Sequence, residues 1–327
     1  MIIVRSPFRI SFFGGGTDYP SWYLKNNGKV ISTSINKYCY ITIRELPKIF
    51  SYNYRVRYYD REETNSISEI KHPVVRSILD LYCNKKNLDI VHHADLPARS
   101  GLGSSSAFTV ALLHAIYSFN NKMITKRRLA CEAINIEQNI LKENVGSQDQ
   151  IASSFGGLNV INFYKNNKFD VLPLMISDNT KNKLLNSCLL FFTGFTRIAS
   201  EIAHEQINNL KENETSLNSM LEIVDEGYRI LTESFNIKDF GNLMNEQWLL
   251  KKTLSNQVSN EQINKIYLDA INAGAYGGKL LGAGGGGFIL FIAPKKNHSR
   301  IINKLSKLQL VPFKFDSTGS QVIYYAP

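Results

Sequence analysis

Residues 96–108 read LPARSGLGSSSAF, and what that stretch becomes decides the fold. The segment before it, residues 88–95 (LDIVHHAD), reads as a short strand with Ile90 on one face. After it, Ala107, Val110, Ala111, Leu113 and Ile116 recur at helical spacing through to Phe119. A strand, a loop holding Gly101, Leu102 and Gly103, three serines and a helix have the layout of an anion-binding turn. Glycine lets backbone N–H groups approach a ligand that a Cβ would exclude. Ser104, Ser105 and Ser106 fall where the first N–H groups of the helix have no internal partner. Those donors, with the positive end of the helix dipole, favour phosphate oxygens. Two other phosphate loops do not fit. The Walker spacing is absent, since residues 274–280 (GAYGGKL) carry no Ser or Thr after Lys279. The dinucleotide pattern fails here at Ser106; it matches residues 282–287 (GAGGGG), but a β-rich FILFIA comes next there instead of a helix. Alone, GLGSSS also describes an ordinary serine-capped helix after a glycine turn, so its neighbours must decide.

The chain has 327 residues, enough for two domains, with 43% hydrophobic and 20% charged residues, as in a soluble globular protein. No apolar signal core follows Met1, and the run 288–293 is far short of the ~18 residues a membrane helix needs. The expectation is a cytoplasmic protein with no membrane partner. Cys39, Cys83, Cys131 and Cys188 are scattered, so they read as reduced, buried small hydrophobes and not as a zinc or disulfide framework. His92 and His93 would point to opposite faces of a strand and make a poor metal pair. The net charge of +10 favours anionic partners, yet the basic residues are dispersed. Small phosphorylated ligands account for the charge without nucleic acid.

Along the chain, strands are expected at 2–4 and 8–13, then the glycine turn Gly14–Asp18, two β-rich segments within 30–43, another at 52–60 and a helix at 73–83. A helix at 126–142 carries Glu137 on a body striped by Leu129, Ala133, Ile136 and Ile140. A loop with Asp149 and a hairpin of 158–163 and 169–174 close the first half. The second half offers a strand at 187–193, an Arg197-bearing turn into a helix near 198, and helices at 215–236, 238–254 and 260–273. A strand at 288–293, a helix at 299–308 and strands at 311–315 and 321–325 complete an α+β chain. Two domains are expected, 1–178 and 179–327.

Three motifs, PFRISFFGGGTDYP, LPARSGLGSSSAF and KLLGAGGGGFIL, occur in that order between residues 7 and 290. In this the sequence resembles the GHMP family of sugar and isoprenoid kinases. The resemblance implies an N-terminal domain like ribosomal protein S5 domain 2, a ferredoxin-like C-terminal domain and a site between them that binds ATP and Mg²⁺. It implies Asp149 as catalytic base with Arg9 beside it, and Ser105 and Glu137 as metal ligands. It also places nucleotide on residues 101–106 and on Ala283, Gly284, Gly285 and Gly286, and substrate on Gly15, Gly16, Thr17 and Asp18. Such a set suits phosphoryl transfer, which is mostly positioning and charge neutralisation. Each residue has a plainer alternative: Asp18 and Asp149 as caps, Glu137 as a solvated helix charge, Arg9 as a surface cation. Galactokinases carry a Glu-His pair where this chain has Gly15 and Gly16, which disfavours galactose. The GGGTDYP turn, with SQDQIASSFGG and KFDSTGSQV, resembles the branch acting on D-glycero-D-manno-heptose 7-phosphate or fucose, implying phosphorylation of an anomeric hydroxyl. Arg197 is the candidate for a distal phosphate, against a salt bridge with Glu201. A non-catalytic sugar sensor is the remote alternative, and the partners expected are ATP and a small sugar or sugar phosphate, on a monomer or homodimer.

Overall fold

The computed structural model describes all residues except 84–86, 99, 196–198, 210–211 and 327, and omits the side chains of 199–201, 206 and 208. Its scaffold is a nine-stranded sheet built on two long strands, Ile2–Phe13 and Gly28–Glu45, paired antiparallel along most of their length. Pro7 breaks the alternation in the sequence, which is why two short strands are expected there. The strand instead runs through. Its pairing slips from Pro7 opposite Tyr38 to Phe8 opposite Ile35, so a proline without an N–H sits at an irregularity of the ladder. The long second strand is likewise continuous, because its two ends serve different partners. Residues 28–33 pair with Leu158–Phe163, and residues 39–45 with Leu88–Ala94. Tyr54–Arg57 adds to Leu88–Ala94 in parallel, the one parallel pairing recorded among the described residues.

The helix Ser104–Phe119 packs against both long strands. It buries twelve side chains, from Ser106 to Phe119, so it is apolar nearly all round. The second sheet has four antiparallel strands: Gln309–Leu310, Cys188–Phe192, Phe288–Ile292 and Gly277–Leu280. The helix Ile237–Thr253 lies against it, with Trp248, Tyr267 and Phe291 in its core. From this helix Phe240 packs on the first sheet, with its ring centroid 5.6 Å from that of Phe12 and 5.1 Å from that of Phe13.

The end of the chain departs from the expected 179–327 unit. Residues 311–315 form no strand of their own. Phe315–Asp316 pairs with the long second strand and Gln321–Tyr325 with the first, so the C-terminal segment completes the N-terminal sheet. Cys39 is buried and Cys83 and Cys188 are half-buried, but Cys131 is exposed, against the burial expected of a small hydrophobe. His92 packs edge-on to Phe108, with ring centroids 5.0 Å apart. No helix among the described residues is long and apolar enough to cross a membrane.

Candidate active site

The glycine loop and the start of its helix form one wall of a cavity of about 370 Å³. Gly103 is the N-cap in the left-handed region, at φ 75°. The first-turn N–H groups, which no helix satisfies internally, therefore belong to Ser104, Ser105 and Ser106 on the cavity wall. The first long strand delivers Arg9 beneath this loop. Its Nε and Nη2 donate to the two oxygens of Asp149 at 2.7 and 2.8 Å, and its Nη1 donates to Gly101 O at 2.7 Å. A bidentate guanidinium–carboxylate pair fixes both groups in orientation as well as charge. Arg9 is almost fully buried, whereas the Asp149 side chain keeps 23% of its surface accessible. Asp149 is not the N-cap of its helix Gln148–Phe155; Ser147 occupies that position. The carboxylate thus faces the cavity beside Gly103, where a Cβ would sit 3.2 Å from Asp149 Oδ2.

The first glycine turn closes the opposite wall. Asp18 is buried and accepts from Gly16 N at 3.0 Å, while its own carbonyl accepts from Ser147 N at 2.9 Å. Burial raises its pKa above the ordinary carboxylate value. Gly15 and Gly16 line the cavity, but Thr17 does not. Its fully buried hydroxyl donates to Gly14 O at 2.8 Å and to Lys29 O at 3.0 Å, so the structure uses Thr17 to hold the turn and not to face a ligand.

Glu137 lies in a π-helical turn, Ile136–Ile140, that follows the helix Lys126–Asn135; the expected single helix 126–142 widens here. The turn brings the carboxylate to the foot of the phosphate-loop helix, fully buried. Ser106 Oγ donates to Glu137 Oε2 at 2.8 Å, and Gln150 Nε2 donates to the same oxygen. Oε1 has no partner. Burial above all pushes the carboxyl up to about 7. The hydroxyl that meets Glu137 is therefore Ser106, whereas Ser105 is exposed at the cavity edge. Leu102 buries its side chain in the core and gives only backbone to the loop.

The third glycine run behaves differently. Gly282 and Ala283 line the cavity. A Cβ on Gly101 would meet Leu281 O at 2.4 Å, and one on Gly282 would meet Gly101 Cα at 2.4 Å, so the two loops touch backbone to backbone. Gly284, Gly285 and Gly286 lie outside the cavity lining. Gly285 N donates to Val258 O at 3.0 Å, and Gly284 and Gly286 press on Val258 and Phe195. Arg197 lies outside the described residues. Sequence reasoning missed Ser11, Tyr19, Glu143, Gln148, Lys251 and Lys279, all on the cavity wall. Lys279 is buried and donates to Phe12 O at 3.1 Å; Lys251 is buried and donates to Leu280 O at 3.3 Å and to Gly282 O. In the sequence Lys251 resembles an ordinary last-turn cation beside Lys252, and no spacing marks it.

A helix start facing an oriented carboxylate–guanidinium pair suits phosphoryl transfer. Family models agree: the GHMP kinases N-terminal domain matches residues 70–157, and the GHMP kinases C-terminal domain matches residues 229–309. The chain belongs to the GHMP kinase family and is an ATP-dependent sugar kinase. It is 33% identical over 340 residues, 97% of each chain, to a D-glycero-alpha-D-manno-heptose 7-phosphate kinase of Campylobacter jejuni. It is 26% identical to a bifunctional fucokinase/GDP-fucose pyrophosphorylase of Arabidopsis thaliana, over 89% of this chain and 30% of that protein. Among solved structures, one described as a D-glycero-D-manno-heptose 1-phosphate kinase from Bacteroides thetaiotaomicron superposes with a TM-score of 0.82 over the whole of both chains at 23% identity.

Proposed function

We propose that this kinase transfers the γ-phosphoryl group of ATP to the anomeric hydroxyl of D-glycero-D-manno-heptose 7-phosphate, giving the 1,7-bisphosphate. The observation that carries the reading is the Arg9–Asp149 pair held against Gly103, with Asp18 across the same cavity. Asp149 accepts the hydroxyl proton as the sugar oxygen bonds to phosphorus and the bond from phosphorus to the ADP oxygen breaks. Arg9 orients that carboxylate and offsets charge on the transferring group. The 101–106 backbone holds the nucleotide phosphates, and Gly15, Gly16 and Asp18 receive the sugar. Glu137 and the serines beside it suit Mg²⁺: Glu137 is a hard-oxygen ligand with one buried oxygen lacking a partner. When bound, the ion neutralises phosphate charge, and Glu137 with Ser106 would hold it, Ser105 lying at the edge. Residues 1–178 and 179–327 divide the labour accordingly, except that 315–325 serve the first sheet.

The fucokinase likeness supports a second reading, an L-fucose kinase or another sugar 1-kinase. ATP turnover over a panel of sugars and sugar phosphates separates the two. Heptose 7-phosphate is expected to give the highest kcat/KM and a product that has lost its reducing end; faster turnover of fucose overturns the first reading in favour of the second.

A further inference from the structure

Two lysines on the cavity wall have no part in the roles assigned to the loops, the carboxylates and Arg9. Lys251 comes from the helix Ile237–Thr253 and Lys279 from the strand Gly277–Leu280, and they are only 5% and 2% exposed. Burying an ammonium without a counter-charge is costly unless something compensates it. Here the compensation is thin. Lys251 is held by two backbone carbonyls and Lys279 by one, and neither forms an ion pair among the described residues. Since an ammonium carries three donors, each lysine keeps capacity for a further acceptor. Of the carboxylates that share the cavity, Asp18 lies near enough to favour the charge of both lysines, but it forms no ion pair with either among the described residues. Asp149 is committed to Arg9, Asp18 to Gly16 N, and Glu143 sits on the 143–146 segment. Burial holds both amines below the ordinary lysine pKa, and Lys251 disfavours the charge on Lys279, so an arriving oxyanion would favour the protonated form of each.

We infer that Lys251 and Lys279 form a phosphate-binding wall of the active-site cavity, separate from the glycine loop. The oxyanion belongs to one of two molecules: the phosphate that the sugar acceptor already carries, or the terminal phosphate of ATP. The inference rests on the reading that this cavity is where the acceptor and ATP meet, but not on which sugar is accepted. Burial, with Arg9 nearby, pulls Lys251 down to about 7, so bound phosphate would restore its proton.

Inorganic phosphate is the first probe, titrated by calorimetry into the full chain with and without ADP. Lys251→Met and Lys279→Met are each expected to weaken phosphate about tenfold or more, the worth of one charge-assisted contact. Two further arms identify the source. A matching loss confined to sugar phosphate, and not to its dephosphorylated form, assigns the wall to the acceptor; a loss confined to ATP, and not to ADP, assigns it to the nucleotide. Folded variants that bind inorganic phosphate, ATP and sugar phosphate within about twofold of the unmodified protein overturn the inference. Should either variant not fold, acylation of the wild-type lysines read by mass spectrometry decides: saturating phosphate must protect Lys251 and Lys279, and absence of protection overturns it. Because the phosphate titration needs no turnover, loss of binding in Lys251→Met stands even if heptose 7-phosphate proves not to be the substrate.

Discussion

The loop 101–106 and the loop 282–287 look alike as letters, yet they use glycine for different ends. In the first, Gly103 turns the chain into a helix whose first N–H groups, having no intrahelical acceptor, lie on the cavity wall, with Asp149 directly behind it. In the second, a strand comes next, and Gly284–Gly286 bring backbone against Val258 and Phe195. The element after a glycine run decides its use: a helix leaves donors for a ligand, whereas a strand satisfies them in its ladder. The two meet backbone to backbone at Gly101 and Gly282, where no Cβ fits.

The largest test of this contrast strikes the carboxylate behind the first loop. Asp149→Asn keeps the shape and removes the base, so kcat is expected to fall by about 10²–10⁴-fold with nucleotide affinity nearly unchanged; steady-state kinetics beside nucleotide titration check it, and near-full kcat would remove Asp149 from the role. Glu137, beneath the same loop, gives the next effect. Its folded pKa lies near 7 against 4.5 unfolded, so the native state holds a proton that the unfolded chain releases in between. Stability is therefore expected to be full below about pH 4.5 and to decline as pH rises through 7, by at most ~3 kcal/mol. Glu137→Gln should flatten that slope in urea unfolding across pH 5 to 8.

Alanine substitutions then compare the loops directly. Gly103→Ala and Gly284→Ala both force a side chain into positive φ, at 75° and 131°, and each is expected to cost about 1–3 kcal/mol in denaturant unfolding. Only Gly103→Ala should also lower kcat, since its methyl would press on Asp149; equal kinetic damage from Gly284→Ala would erase the distinction between the loops. The smallest difference lies inside the first loop. Ser106→Ala should cost about 1–2 kcal/mol by taking a donor from buried Glu137. Ser105→Ala, at an exposed position, should stay within about 0.5 kcal/mol in the same denaturant unfolding.

Much of the architecture is legible in the sequence. The strand–loop–helix around residues 96–119 and the hairpin after Asp149 fold where the spacing puts them, because local turn chemistry and periodicity determine both. The two long strands read as fragments, since Pro7 and the polar residues 36–37 interrupt alternation while long-range pairing carries the backbone past them. Lys251 and Lys279 are illegible for another reason. A buried cation has the same letter as a solvated one, and only the arrival of Gly282 O and Phe12 O from distant segments separates them. Ser106 displaces Ser105 beside Glu137 because the widened turn at 136–140 sets the height at which that carboxylate meets the helix.

The strand Gln321–Tyr325 lies along the outer side of Ile2–Phe13, so a strand made early is covered on that side by one made far later in the chain. Until synthesis reaches it, the nascent first strand presents an open row of amides and carbonyls flanked by Ile2 and Val4, the kind of edge that recruits other chains. Truncating the protein before residue 321 should therefore show itself as aggregation during expression, well before any loss of phosphotransfer could be measured.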